Sequence, residues 1–140
     1  MTWNLKDVRG EVKAQLTYGL VGVATGMEVF SYLPARINPP AVLIGAGDPY
    51  LELVDPKTFQ NYTDPYKGKT TVRLELTIVA GVGDNERTQD ALDNLICKTL
   101  DNVRNWDIER VTQPFQLDAN GSLYLSARVV MTAEFTLEEV

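Results

Sequence analysis

The chain contains no histidine. That absence removes the Ser-His-Asp and Cys-His catalytic arrangements and every zinc site that needs an imidazole. There is one cysteine, Cys97, so no disulfide can close within the chain. Cys97 sits beside Ile96 in a helical pattern and is expected to be a small, at least partly buried residue rather than a reactive thiol. Long apolar runs are missing too. Ala41 to Ile44 is far too short to span a bilayer. No unbroken apolar stretch follows Lys6 and Arg9, as a secretory leader would require. Positive charge is scarce: 13 Lys and Arg stand against 19 Asp and Glu, a net charge of −6. So acidic a chain does not attract phosphate backbones, which sets nucleic-acid binding aside. A soluble protein made in a reducing cytoplasm is the expectation.

What is present is a foldable amount of apolar residue. The 140 residues are 44% hydrophobic, which suits one globular domain covering 1–140. A chain near this length buries about 68–70% of its unfolded surface. The organising stretch runs from Lys69 to Val103. Val72, Leu74, Leu76 and Ile78 alternate with Arg73, Glu75 and Thr77, the period of a strand with one buried face. Gly81-Val82-Gly83 breaks that pattern. Asp84 can cap a helix, with Glu86 in its first turn. Ala91, Leu92, Leu95, Ile96, Leu100 and Val103 then recur at helical spacing. Strand and helix each need a cover, and each can cover the other.

The remaining segments complete this unit. Asn4 to Tyr18 reads as a helix with Leu5, Val8, Val12 and Leu16 on one stripe, capped by Thr2 or Asn4 and ended by Gly19. Met27 to Tyr32 alternates as a short strand. Asn38-Pro39-Pro40 forms a rigid corner, Ala41 to Ile44 a buried strand, and Gly45-Ala46-Gly47 its release. Residues 48–68 hold three Asp-Pro pairs and Tyr50, Phe59, Tyr62 and Tyr66. So long a loop is either folded on its own aromatics, with a short strand at Tyr50 to Val54, or ordered against a partner. A strand is expected around Ile108 to Gln116. Asn120-Gly121 supplies a type I′ hairpin turn. The return strand places Leu123, Leu125, Ala127, Val129, Met131, Ala133 and Phe135 on one face. At about 3.4 Å per residue it is too long to stay flat, so a bend, a bulge or a shared subunit edge is expected. The fold class that follows is α+β: a mainly antiparallel sheet with two helices packed on one face.

Chemistry is thin. Gly81-Val82-Gly83 follows a strand and precedes a helix, as a dinucleotide fingerprint does, but Glu86 stands where the third glycine belongs. Asp84 and Glu86 put negative charge where a pyrophosphate would sit. Asp90, Asp93 and Asp101 read as a solvated helix face rather than metal ligands. Asp118 to Gly121 begins like a calcium loop, yet its glycine comes at the fourth position rather than the sixth. No enzyme, cofactor or metal is expected.

Three stretches carry a resemblance. They are Gly26-Met27-Glu28-Val29-Phe30-Ser31-Tyr32-Leu33-Pro34, Asn38-Pro39-Pro40-Ala41-Val42-Leu43-Ile44-Gly45, and the helix start from Asp84 to Leu95 with Gln89-Asp90-Ala91-Leu92-Asp93. In order and size the chain resembles the tail terminator proteins of long-tailed siphophages. The resemblance implies a structural virion protein at the head-proximal end of the tail, assembled in the host cytoplasm. It implies a homohexameric ring that caps the finished tail tube, stops tube polymerisation and offers a docking surface to the head-tail connector. Its partners would be further copies of itself, the tail tube protein and the connector protein, with no membrane. DNA would pass through the lumen without specific binding. Within this reading Tyr50, Phe59, Tyr62 and Tyr66 are the expected interface residues, touching a neighbour or the tube. The exposed helix faces and the edges of the long hairpin would supply ring contacts. The alternatives are a neck or head-completion connector protein, a small ligand-binding module or enzyme, and a protein-binding adaptor.

Overall fold

The computed structural model describes residues 3–20, 28–32, 34–53, 69–119 and 121–136. In chain order they form α1 (Leu5–Leu20), β1 (Glu28–Phe30), β2 (Ala41–Leu53), β3 (Lys69–Val82), α2 (Glu86–Asn102), β4 (Asp107–Val111), β5 (Phe115–Ala119) and β6 (Ser122–Thr136). The strands make one sheet in the order β1-β2-β3-β6-β4, with β5 also paired to β6. β1 runs parallel to β2, and every other described pair is antiparallel. The architecture is α+β, as the patterning requires.

β3 lies at the centre of the sheet, between β2 and β6. Val72, Leu74, Leu76 and Ile78 are wholly buried. They meet Val8, Val12 and Leu16 of α1 and Leu92 and Leu95 of α2. Leu125, Ala127, Val129 and Met131 of β6 extend the same layer. Full burial of one such aliphatic side chain stabilises by roughly 1.5–3 kcal/mol, so this layer dominates the energetics. Trp3 packs edge-on against Phe135, and Trp106 tilts against the same ring, closing the end of the layer.

The helix ends are set by local chemistry. Asn4 Oδ1 accepts from the Asp7 backbone N–H at 2.8 Å and caps α1. The helix continues through Gly19 to Leu20, because one glycine in a helix costs only about 1 kcal/mol and does not by itself stop it. For α2 the cap is Asn85, not Asp84. Gly83 turns at φ 94°, which moves the extended cap position one residue along. Asn85 Oδ1 then accepts from the Thr88 N–H at 2.9 Å and from its hydroxyl at 3.1 Å. The buried stripe of α2 is Leu92, Leu95 and Thr99. Ala91 therefore faces out, and Cys97 is exposed rather than partly buried.

Three strands depart from expectation. β1 spans Glu28–Phe30, so Ser31 and Tyr32 fall past its end, while Met27 lies outside the described residues. Gly45-Ala46-Gly47 does not release β2. The pairing pauses after Ala46↔Leu74 and resumes at Leu51↔Val72, so residues 47–50 bulge opposite Arg73. β3 offers a continuous partner edge, and a strand beside such an edge keeps its backbone groups paired. Residues 48–53 are thus strand, so the short strand expected from Tyr50 is present as far as Leu53 and continues β2; Val54 lies outside the described residues. The segment expected as one strand from Ile108 to Gln116 is two, β4 and β5, because Pro114 has no N–H for the ladder. Thr112 bridges the gap: its N–H donates to Arg128 O at 2.8 Å, and its hydroxyl accepts from Arg128 N–H at 3.0 Å. β6 serves β3 on one edge and both short strands on the other. Register shifts at Val79/Gly81 and Ile108/Arg110 absorb its length. Gly121, at φ 76°, supplies the positive φ of the hairpin turn; Asn120 lies outside the described residues.

Candidate assembly surface

The face of the sheet away from the helices carries the polar half of each alternation. Leu43, Thr77 and Arg128 stand in one cross-strand row. Gly45, Glu75 and Val130 form the next, and Arg73 lies opposite Thr132. One end of this face is apolar: Ile37, Ala41, Leu43, Val79 and Tyr124 are buried together, with Phe30 and Leu117 against them. Beside them runs an open groove of about 360 Å³ whose walls include Pro34, Ile37, Thr77, Leu117 and Arg128. Its floor is aliphatic and its titratable groups are Arg128 and Asp118, which gives no nucleophile with a base beside it.

The other end is clasped by ion pairs. Arg73 Nε donates to Glu109 Oε2 at 2.8 Å, reaching from β3 across β6 to β4. Its Nη1 donates to Pro49 O at 3.0 Å inside the β2 bulge. Gly47 makes room for this side chain, since a Cβ there would stand 2.4 Å from Arg73 Cγ. The hydrogen bond from Arg73 holds the Glu109 carboxyl below its usual range against the opposing effect of desolvation. A second cation, Arg128, places Nε 3.0 Å from Glu75 Oε1. Its guanidinium lies over the Phe115 ring, 4.5 Å from the centroid. Cations and anions thus alternate across the face, and among the described residues they form neither a cation cradle nor an anion cradle.

Apolar side chains are left uncovered at the rim. Val82 is 61% exposed and Leu123 53%, at the end of the β3 and β6 ladder. Tyr32 is 61% exposed, and Ile108 and Val111 of β4 are 40% and 38% exposed. On α1 the outlying aromatic is Tyr18.

Of the expected interface residues, Tyr50 is on β2, half-buried and packed against the main core rather than carried on a loop. Phe59, Tyr62 and Tyr66 lie outside the described residues. Reading the sequence missed the Arg73–Glu109 and Arg128–Glu75 pairs. Arg73 and Glu75 were visible as the outward half of β3, but their partners depend on the sheet order. Among the described residues no three Cys, Asp or Glu side chains gather as a metal site, and no helix is long and apolar enough to cross a membrane. No protein-family model and no curated protein matches the chain.

Proposed function

We propose that the chain is a structural virion protein, a ring-forming subunit that caps the head-proximal end of a siphophage tail tube. The ring, a homohexamer in this reading, ends tube polymerisation and presents a docking surface to the head-tail connector. It performs no catalysis. One observation carries the assembly part of the reading: the helices cover one face of the sheet, while the rim keeps Tyr32, Val82 and Leu123 exposed. Apolar residues spread around the rim of a small domain suit contacts with neighbours on more than one side. A ring needs that, because its heterologous contact joins two different surfaces of the same subunit. The resemblance of residues 26–34, 38–45 and 84–95 to tail terminators supplies the position in the virion. The acidic balance, −6 overall, suits a passage that must not hold DNA.

The test is reconstitution. Purified chain is added to polymerising tail tube subunits, and tubes are measured by negative-stain electron microscopy. The reading predicts shorter tubes, each ending in one added ring. Tubes that grow to the same length with no density at either end contradict it. If the chain is instead a connector subunit, it binds only tubes that are already capped.

A further inference from the structure

We propose that the outer edge of β4, which no described strand covers, binds the β4 edge of a second copy, in antiparallel register about a two-fold axis. β4 ends the described sheet, so the backbone groups it does not give to β6 point outward. An exposed edge of this kind is recognised by another extended strand. The side chains name the strand. The register shift between Ile108 and Arg110 puts Ile108 opposite Met131 and Val111 opposite Val129, both on the helix side of β6. Ile108 and Val111 therefore share one face, and both remain exposed there, at 40% and 38%. Arg110 stands opposite Val130, on the other face, where Glu109 reaches Arg73.

A two-fold axis between Glu109 and Arg110 makes this strand its own complement. Ile108 meets Val111 of the second copy on the helix side. Glu109 meets Arg110 of the second copy on the opposite side. Each pair occurs twice. Glu109 gives Oε2 to Arg73, which leaves Oε1 to accept from the incoming guanidinium. Without the register shift Ile108 and Val111 would lie on opposite faces, and no two-fold pairing could align them. Opposite charges and aliphatic residues directly across an antiparallel pair both stabilise it, whereas like charges there repel. The two-fold contact is isologous and separate from the heterologous contact of a ring. It neither needs the capping function nor fails with it.

Native mass spectrometry and light scattering across a concentration series read the mass. The expected result is a dimer that dissociates on dilution. Disulfide trapping reads the register in a Cys97→Ser background. Mixed Ile108→Cys and Val111→Cys chains should cross-link to each other several-fold more than either does to itself. Glu109→Arg should give folded monomer, and Glu109→Arg with Arg110→Glu should restore the dimer. Circular dichroism checks folding in each variant. Monomer at every concentration, equal cross-linking in mixed and single samples, or no rescue by the double reversal overturns the proposal.

Discussion

Gly47 should be a position where alanine harms the protein only because of Arg73. Two effects compete there. Glycine to alanine at a backbone conformation open to alanine stabilises by about 0.4–1 kcal/mol, through the unfolded chain. Gly47 is such a position, since Gly83 and Gly121 are the described glycines with positive φ. Against this, the new methyl would lie 2.4 Å from Arg73 Cγ and 3.0 Å from both its Cβ and Cδ. Those atoms are the root of the side chain, not its flexible end. Relief needs a new rotamer, and that breaks the bonds to Glu109 and Pro49 O. Overpacking of this kind costs about 1–3 kcal/mol, so the overlap wins and Gly47→Ala destabilises by roughly 1–2 kcal/mol. In an Arg73→Ala background the overlaps with Cγ and Cδ are gone and only the 3.0 Å approach to Cβ remains, so the same substitution should cost much less than in the wild type. Urea unfolding of the four proteins closes the cycle and isolates the coupling. An equal effect of Gly47→Ala with and without Arg73 would refute the reasoning.

Thr99 is wholly buried and its hydroxyl has no hydrogen-bond partner, so Thr99→Val should raise stability by about 1 kcal/mol in the same assay. Asn85→Ala should cost about 0.5–2 kcal/mol and Asp84→Ala much less, which separates the two cap assignments by thermal melting. Leu76→Ala, at the centre of the buried layer, should cost about 2–5 kcal/mol. Glu109 is held below its usual range in the folded state, chiefly by its hydrogen bond from Arg73. Its contribution is therefore present above the unfolded glutamate value and lost as the pH falls through the folded one. The stability gap between wild type and Glu109→Gln should be open at pH 7 and close below about pH 4, the ordinary glutamate range.

The parts of the fold that were legible are those set by local periodicity. Val72 to Ile78 alternated and became the centre of the sheet; Val8, Val12 and Leu16 kept helical spacing and became the buried stripe of α1. What was illegible depends on neighbours distant in sequence. The short strand from Tyr50 is one of the readings on offer, but Gly45-Ala46-Gly47 and Asp48-Pro49 look like loop on composition; β3 lies beside them and keeps β2 continuous through a bulge. Cys97 looked buried because Ile96 is apolar; the helix phase is fixed instead by Leu92, Leu95 and Thr99 against the sheet. The cap moved from Asp84 to Asn85 because Gly83 decides where the turn ends. The candidate surface was the least legible. Arg73 and Glu109 are 36 positions apart, and only the order β3-β6-β4 brings them together. The exposure of Ile108 and Val111 on one face follows from a register shift that no alternation pattern announces.

The proposed capping function is tested most directly by tail length in the long-tailed phage that the proposal takes to encode the chain. Its gene is inactivated, and tails in the lysate are measured by negative-stain electron microscopy. A tail terminator predicts tails far longer than normal and of uneven length, without heads, with normal length restored when the chain is supplied from a plasmid. Tails of normal length beside unattached heads would contradict it and assign the chain to head completion instead.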